Sequence, residues 1–243
     1  MVRQMIQTVK QPVDRSMTVP GSKSITNRAL LIAALAQGQS MLSGVLFSED
    51  TLAALGALQA LGVNVEVDQR RHQCLIAGAA GQFLHRHAQL YCHESGTLTR
   101  FLIPALATCP GQYRVSAAER MMARPLKNLL QVLAQQDCQF DFEGQPWQMP
   151  FTLVTQGLSG GQVTVELQHS SQFLSGLLMA APYAKAPLAI TAESIAKKPY
   201  VAMTINMMAD FGVPVAQRHH HDQVVFDVPI ARYQACDYAI EPD

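Results

Sequence analysis

The sequence has no surplus of either charge. Its 243 residues carry 18 Lys+Arg against 18 Asp+Glu, a formal net charge of zero. Such a chain has no long-range pull toward nucleic acid or an anionic membrane, so any anion binding must come from a local cluster. A cysteine framework is lacking as well. Cys74, Cys92, Cys109, Cys138 and Cys236 make an odd number, and no C-x-x-C pair occurs. Free thiols in a reducing compartment are expected. No run of about 18 apolar residues occurs, so no transmembrane helix is expected. Met1-Val2-Arg3-Gln4 leads into mixed polar sequence rather than an apolar signal core, and the expected location is cytoplasmic. Metal chemistry finds no closed ligand set. In His219-His220-His221-Asp222, neighbouring residues of a strand would face opposite sides. A solvated turn is expected there, and a surface position for His85-x-His87. No cofactor is called for.

What is present is an internal repeat. Three segments open with a small polar cluster that leads into an Ala/Leu-rich helix. The openings are Gly21-Ser22-Lys23-Ser24, Glu94-Ser95-Gly96-Thr97 and Ser170-Ser171-Gln172. The expected helices are Asn27 to Ala36, Arg100 to Ala107 and Phe173 to Ala181, followed by strands Ser40 to Val45, Gln112 to Ser116 and Leu188 to Ala192. A second helix in each segment ends near Leu61-Gly62-Val63, Gln136-Asp137-Cys138 and Phe211-Gly212-Val213, endings spaced by 75 residues. Two strands then close each unit: Asn64 to Val67 with Cys74 to Ala77, Gln139 to Phe142 with Phe151 to Val154, and Pro214 to Ala216 with Val224 to Val228.

The fold class is therefore mixed α/β, a βαβαββ unit repeated three times about a pseudo-threefold axis. A first helix as apolar as Ala29-Leu30-Leu31-Ile32-Ala33-Ala34-Leu35 belongs at the centre. Inner helices screened by outer sheets follow, with helix N-termini converging at one end.

Converging N-termini offer free N–H groups and partial positive charge to an anion. The first opening adds Lys23, together with Ser24 and Arg28, which are four apart on one helix face. Arg28 has the chemistry to grip a carboxylate; Ser24 and Arg28 also fit a plain cap and a solvated surface residue. Gly96 allows close approach of backbone to a ligand, or simply a tight turn. Arg120 and Arg124, the latter before Pro125, are expected on a loop. Ser170, Ser171 and Gln172 offer two hydroxyls and an amide, and equally ordinary caps. Together these groups suit a small, polyanionic, hydroxylated substrate.

The same residues carry a family resemblance. Pro20-Gly21-Ser22-Lys23-Ser24-Ile25-Thr26-Asn27-Arg28-Ala29-Leu30 resembles the P-G-S-K-S-x-x-N-R-A-L signature of the EPSP synthases (3-phosphoshikimate 1-carboxyvinyltransferases). Ser95-Gly96-Thr97 with Arg100 is similar to their G-T-x-x-R segment. Arg120 with Arg124-Pro125 is similar to R-M-x-x-R-P, Ser170-Ser171-Gln172-Phe173 to S-S-Q-F, and Lys198-Pro199-Tyr200, in part, to S-K-P-Y. The resemblance runs from about Val13 to Asp243.

It implies one lobe of the inside-out barrel of enolpyruvyl transferases. Residues 1–18 would be a lead-in strand and hinge, 19–237 a shikimate-3-phosphate-binding lobe of three repeats (about 19–90, 91–165 and 166–237), and 238–243 a return hinge, with the second lobe absent. It also implies transfer of the enolpyruvyl group of phosphoenolpyruvate to shikimate-3-phosphate. Lys23, Ser24, Arg28, Ser170, Ser171, Gln172 and Tyr200 would hold shikimate-3-phosphate. Lys23, Gly96, Arg120 and Gln172 would face the phosphate of phosphoenolpyruvate, with Lys23 stabilising charge and Arg124 as structural support. The general acid and base would lie on the second lobe, so the chain alone is expected to bind without turnover.

Three positions depart from the pattern. Glu94 stands where the family usually has Asn, Phe101 where it has Pro, and Lys197 where it has a phosphate-binding Ser. Glu94 and Phe101 are expected beside the phosphoenolpyruvate position. A UDP-N-acetylglucosamine enolpyruvyl transferase lobe is the nearest rival, but its signature has Lys-Asn where this chain has Lys23-Ser24. It also uses a loop cysteine, whereas Cys109 and Cys138 lack a flanking motif and read as buried. A non-catalytic module that captures shikimate-3-phosphate is the third reading.

Overall fold

The computed structural model describes residues 14, 17, 19–166, 170–193 and 199–242. The expected lead-in strand lies mostly outside the described residues, as do Lys197 and Lys198. The first unit runs α1 (Lys23–Leu35), β1 (Gln37–Ser43), α2 (Glu49–Ala60), β2 (Asn64–Asp68) and β3 (Gln73–Ala79). The second runs β4 (His87–Tyr91), α3 (Gly96–Leu106), β5 (Pro110–Ser116), a short α4 (Glu119–Met122), α5 (Lys127–Ala134), β6 (Gln139–Phe142) and β7 (Phe151–Gln156). The third runs β8 (Gly161–Val165), α6 (Ser171–Ala180), β9 (Leu188–Glu193), α7 (Pro199–Asp210), β10 (Ala216–His220) and β11 (Gln223–Val228). A last strand, β12, is Tyr238–Ala239.

These strands form three four-stranded sheets of one design: β12-β1-β3-β2, β4-β5-β7-β6 and β8-β9-β11-β10. In each, the opening strand runs parallel to its neighbour and the remaining pairs are antiparallel. The βαβαββ unit is thus realised three times, with one twist. The opening strand of the first unit comes from the far end of the described chain, where Leu42 pairs with Tyr238 and Ser43 with Ala239. Ser22 N–H donates to the Glu241 carbonyl at 2.8 Å, which ties the returning segment to the start of α1.

Burial separates the helices into two classes. Every residue of α1 from Thr26 to Leu35 is buried, as is every residue of α6 from Phe173 to Ala180. In α3 only Thr97 and Arg100 escape full burial. These three helices are the centre. By contrast, α2, α5 and α7 bury only one face each, the amphipathic pattern of a covering layer. The sheets have one buried face, as the alternation in β7, β9 and β11 shows.

The small polar openings are the first helical turns themselves, not their lead-ins. Side chains of Ser22, Ser95 and Ser170 accept from the backbone N–H of Ile25, Leu98 and Gln172, so the inner helices start four, four and two residues before their expected apolar runs. The helix endings repeat just as closely. Gly62, Asp137 and Gly212 all adopt positive φ, at 83, 61 and 85°. Past each of them, the N–H of Val63, Cys138 and Val213 reaches back to the carbonyl of Leu58, Leu133 and Met208, at 3.0, 3.1 and 2.8 Å. This is a left-handed terminating turn used three times.

One expectation is corrected at the tip of the third sheet. Strand β10 begins later and runs further than Pro214 to Ala216, so His219 and His220 lie in it, opposite Val224 and Gln223. Only His221, at φ 51°, and Asp222 occupy the turn.

Asp137 is the one non-glycine of the three left-handed positions, where a Cβ carries a steric cost of about 1 kcal/mol. Asp137→Gly is expected to raise the unfolding free energy by about 0.5–1 kcal/mol. Urea denaturation followed by circular dichroism checks this; a fall in the midpoint would contradict it.

Candidate functional site

The capped starts of α1, α3 and α6 meet, joined by side chains rather than by backbone. Arg28, on the second turn of α1, crosses to α6 and α7. Its Nε donates to Thr204 Oγ1 at 2.7 Å, and Nη2 donates to Ser175 Oγ at 3.4 Å and to the Tyr200 carbonyl at 3.2 Å. Nη1 donates to the Ser24 carbonyl at 2.9 Å. The guanidinium lies 5.0 Å from the Phe101 ring centroid on α3 and 5.8 Å from that of Tyr200, distances at which a cation is drawn to an aromatic face. Arg28 is only 2% exposed. Among the described residues no carboxylate pairs with it, and burial lowers its pKa from 12.5 to about 10.

A second cluster joins α3 to α6. Arg100 Nη1 donates to Gln172 Oε1 at 2.8 Å, and Gln172 Nε2 donates to Thr97 Oγ1 at 2.9 Å. Gly96, the first residue of α3, sits beneath two guanidinium groups. A Cβ at this position would lie 2.9 Å from an Nη1 atom of Arg100 and 2.9 Å from that of Arg124. Only the absence of a side chain lets both cations close over the helix start. Burial, then the neighbouring Arg124 charge, lowers the pKa of Arg100, and its buried Nε has no hydrogen-bond partner. Two like charges at a helix N-terminus form a strong local attraction for an anion.

Lys23 is held elsewhere. Its Nζ is 3.0 Å from Asp50 Oδ2, in the first turn of α2. Asp50, Glu49, His93 and Glu94 line one wall of a cavity of about 780 Å³ between α2 and β4.

The arrangement is a polar end on an apolar lobe, neutral overall and cationic where three helices begin. A scan against family models matches residues 7–243 to EPSP synthase (3-phosphoshikimate 1-carboxyvinyltransferase). The chain belongs to the EPSP synthase family. Among curated relatives, the 3-phosphoshikimate 1-carboxyvinyltransferase of Nostoc punctiforme is 40% identical over 240 residues, 98% of this chain and 56% of that protein. That of Opitutus terrae is 37% identical over 96% of this chain and 54% of its own length. Among solved structures, the EPSP synthase of Acinetobacter baumannii superposes with a TM-score of 0.78 at 24% identity, over 92% of this chain and 49% of that one. The enolpyruvyl transferase NikO of Streptomyces tendae gives 0.66 at 16% identity, over 93% of this chain and 51% of that one. Both share the fold. The chain spans about half the length of the curated EPSP synthase relatives it matches.

Set against the expectations from sequence, the structure brings Ser24, Arg28 and Tyr200 into one cluster and Gly96 and Gln172 into another. Ser170 caps α6 and Ser171 begins it. Arg124 overhangs Gly96, where the sequence reading had it as support, and Arg100 joins it without having been given a role. Arg120 lies not on a loop, as expected, but on the short helix α4, where it is exposed, with no hydrogen bond or ion pair among the described residues. Spacing held a signal for Arg100: it lies four residues beyond Gly96, hence one turn above it. Phe101 is not beside the Gly96 cluster as expected. One residue further round α3, its side chain turns into the core beneath Arg28 and is 2% exposed. Glu94 is exposed and lines the same cavity as Asp50.

The cysteines of this EPSP synthase family member are packing residues. Cys74, Cys92, Cys109 and Cys138 are buried, and burial pushes the thiols of Cys74, Cys92 and Cys138 up to about 11. Thiols this enclosed react slowly, so iodoacetamide at about pH 8 is expected to spare these four in the native chain and to label only the half-buried Cys236. Mass spectrometry of the alkylated chain checks this; rapid modification of Cys109 or Cys138 would contradict it.

Proposed function

We propose that this chain is the shikimate-3-phosphate-binding lobe of an EPSP synthase. The complete reaction transfers the enolpyruvyl group of phosphoenolpyruvate to the 5-hydroxyl of shikimate-3-phosphate and releases phosphate. The observation that carries the reading is the buried Arg28, a cation with no carboxylate partner among the described residues, set where three helix N-termini meet. A buried charge without a counter-ion costs several kcal/mol, and an anionic ligand removes that cost.

In this reading Arg28 and Ser24 take the carboxylate end of shikimate-3-phosphate. Ser170, Ser171, Gln172 and Tyr200 take its phosphate and ring. The phosphate of phosphoenolpyruvate belongs over Gly96, with Gln172, Lys23 and the guanidinium groups of Arg100 and Arg124. The last assignment departs from the sequence expectation of Arg120, because it is Arg124 that overhangs Gly96. For Lys23 to stabilise that phosphate it must leave Asp50, an exchange that two half-exposed groups in ion-pair contact make readily.

Addition and elimination need a general base at the attacking hydroxyl and an acid at the enol carbon. By the family resemblance both belong to a second lobe of similar size, which is the partner this reading requires. The location in this reading is cytoplasmic; among the described residues no helix is long and apolar enough to cross a membrane.

The test is calorimetric titration of shikimate-3-phosphate into the purified chain. Binding is expected, and Arg28→Ala is expected to weaken it by about 1.5–3 kcal/mol, the range for hydrogen bonds to a charged group. No heat and no thermal shift at millimolar ligand would overturn the reading. Phosphate release from both substrates is expected only when a separately expressed second lobe is added. Turnover by the chain alone would show that the acid and base have been misplaced.

A further inference from the structure

Arg28 is the only Lys, Arg, Asp or Glu among the described residues that is buried. Its donors can be counted. A guanidinium has five N–H groups; Thr204 Oγ1, Ser175 Oγ, the Tyr200 carbonyl and the Ser24 carbonyl take four of them. One N–H remains, on Nη1. The side chain is therefore not a mobile clamp. Its orientation is set by neighbours, and the shortest of these contacts is the one to Thr204, at 2.7 Å.

Thr204 is itself fully buried on α7 and stands at a junction. Its Oγ1 accepts from Arg28 Nε and lies 2.8 Å from the Tyr200 carbonyl and 3.0 Å from Ser175 Oγ. A hydroxyl has one proton to give, to the carbonyl one turn back or to Ser175, and keeps a lone pair for the guanidinium. The same atom thus locks Arg28 of α1 to α6 and to the first turn of α7, which carries Tyr200. No sequence motif singled out Thr204 or Ser175; they sit in runs of apolar residues, Val201 to Met208 and Phe173 to Ala180.

We infer that Thr204 is the positioning residue of the shikimate-3-phosphate site: its hydroxyl fixes the Arg28 guanidinium so that the remaining N–H on Nη1 is reserved for the ligand carboxylate. The inference rests on the functional reading above. An acceptor is required at this position, not merely a side chain of the right volume. Valine fills the same space but turns no lone pair toward Nε, leaving a buried charged donor unpaired. Serine keeps the acceptor. Because the contact serves the carboxylate end, its loss should weaken shikimate and shikimate-3-phosphate by the same factor.

The experiment uses the full chain with Thr204→Val, Thr204→Ser and Ser175→Ala. Titration with shikimate-3-phosphate and with shikimate is paired with heteronuclear NMR of the arginine Nε–H groups, recorded without ligand. A slowly exchanging Arg28 Nε–H is expected in the wild type, retained in Thr204→Ser and lost in Thr204→Val. Affinity for both ligands is expected to fall about tenfold or more in Thr204→Val and to stay near wild type in Thr204→Ser. If the chain binds and Thr204→Val binds equally well, or if Thr204→Ser is as weak as Thr204→Val, the inference is overturned alone. Should Thr204→Val not fold, an unprotected Arg28 Nε–H in the wild type, or wild-type affinity in a Thr204→Ser variant that has lost that protection, overturns it just as well. A wild-type chain that shows the protected signal but binds neither ligand overturns the functional reading, and the inference with it.

Discussion

A guanidinium held in the interior with no carboxylate partner among the described residues is the constraint on which the rest of the structure turns. Placing Arg28 among apolar helices sacrifices its hydration, a loss of several kcal/mol before compensation. Three elements supply the compensation. Helix α1 gives the Ser24 carbonyl, α6 the Ser175 hydroxyl, and α7 both Thr204 and the Tyr200 carbonyl; the Phe101 ring of α3 covers one side. None of these can shift without uncovering the charge. The convergence of the inner helices, which threefold repetition makes geometrically natural, is thereby also made chemically necessary. Neutral acceptors take four of the five N–H groups but leave the charge, a residue of positive potential at this end of the lobe.

The second cluster uses the opposite tactic. Arg100 and Arg124 are not buried behind acceptors but stacked over a helix start that already carries partial positive charge. Burial, and after it the Arg124 charge, lowers the pKa of Arg100. Glycine at position 96 permits the approach, and Gln172, itself anchored on Thr97, steadies one of the two groups. Like-charge crowding of this sort is unfavourable in the free protein and becomes favourable once a dianion arrives. Lys23, parked on Asp50, adds a third cation that can be drawn on without having been left unpaired.

Much of the fold was legible in the sequence because it repeats. The terminating triplets spaced by 75 residues match three left-handed turns with the same backbone bonds, and strongly apolar runs mark the three central helices. The opening strands were not legible. His87–Tyr91 and Gly161–Val165 are only five residues long and mostly exposed, and the strand equivalent to them in the first unit is not adjacent to it in sequence at all. The site divided along similar lines. Residues in a dense motif, such as Lys23, Ser24 and Arg28, were found together. Thr204 and Ser175 were not, since a hydroxyl amid apolar helix residues has no periodic signature and its value depends on a partner more than a hundred residues away. Phe101 misled for a related reason: adjacency to Arg100 in sequence is a turn of about 100° around a helix, enough to send one side chain toward Gln172 and the next into the core.

The displaced opening strand also sets the first unit apart. In the second and third units one continuous segment leaves the opening strand and enters the inner helix. In the first, that connection is made of two segments running past each other, with Gly21 bridged to Pro242 and Ser22 N–H bonded to the Glu241 carbonyl. Ser22 is the cap of α1, one residue before Lys23. The backbone that positions the lysine, Ser24 and, one turn on, Arg28 is thus directly hydrogen-bonded to the returning chain, while the openings built around Gly96 and Ser170 have no such tie among the described residues. A displacement of residues 240–242 would pass through a 2.8 Å backbone bond to the start of α1 before reaching any other opening. The unit that carries the buried cation is therefore also the one most directly coupled to residues 240–242. Arg28, held through α6 and α7, and Ser22, held by the Glu241 carbonyl, lie less than two helical turns apart at the start of the same helix.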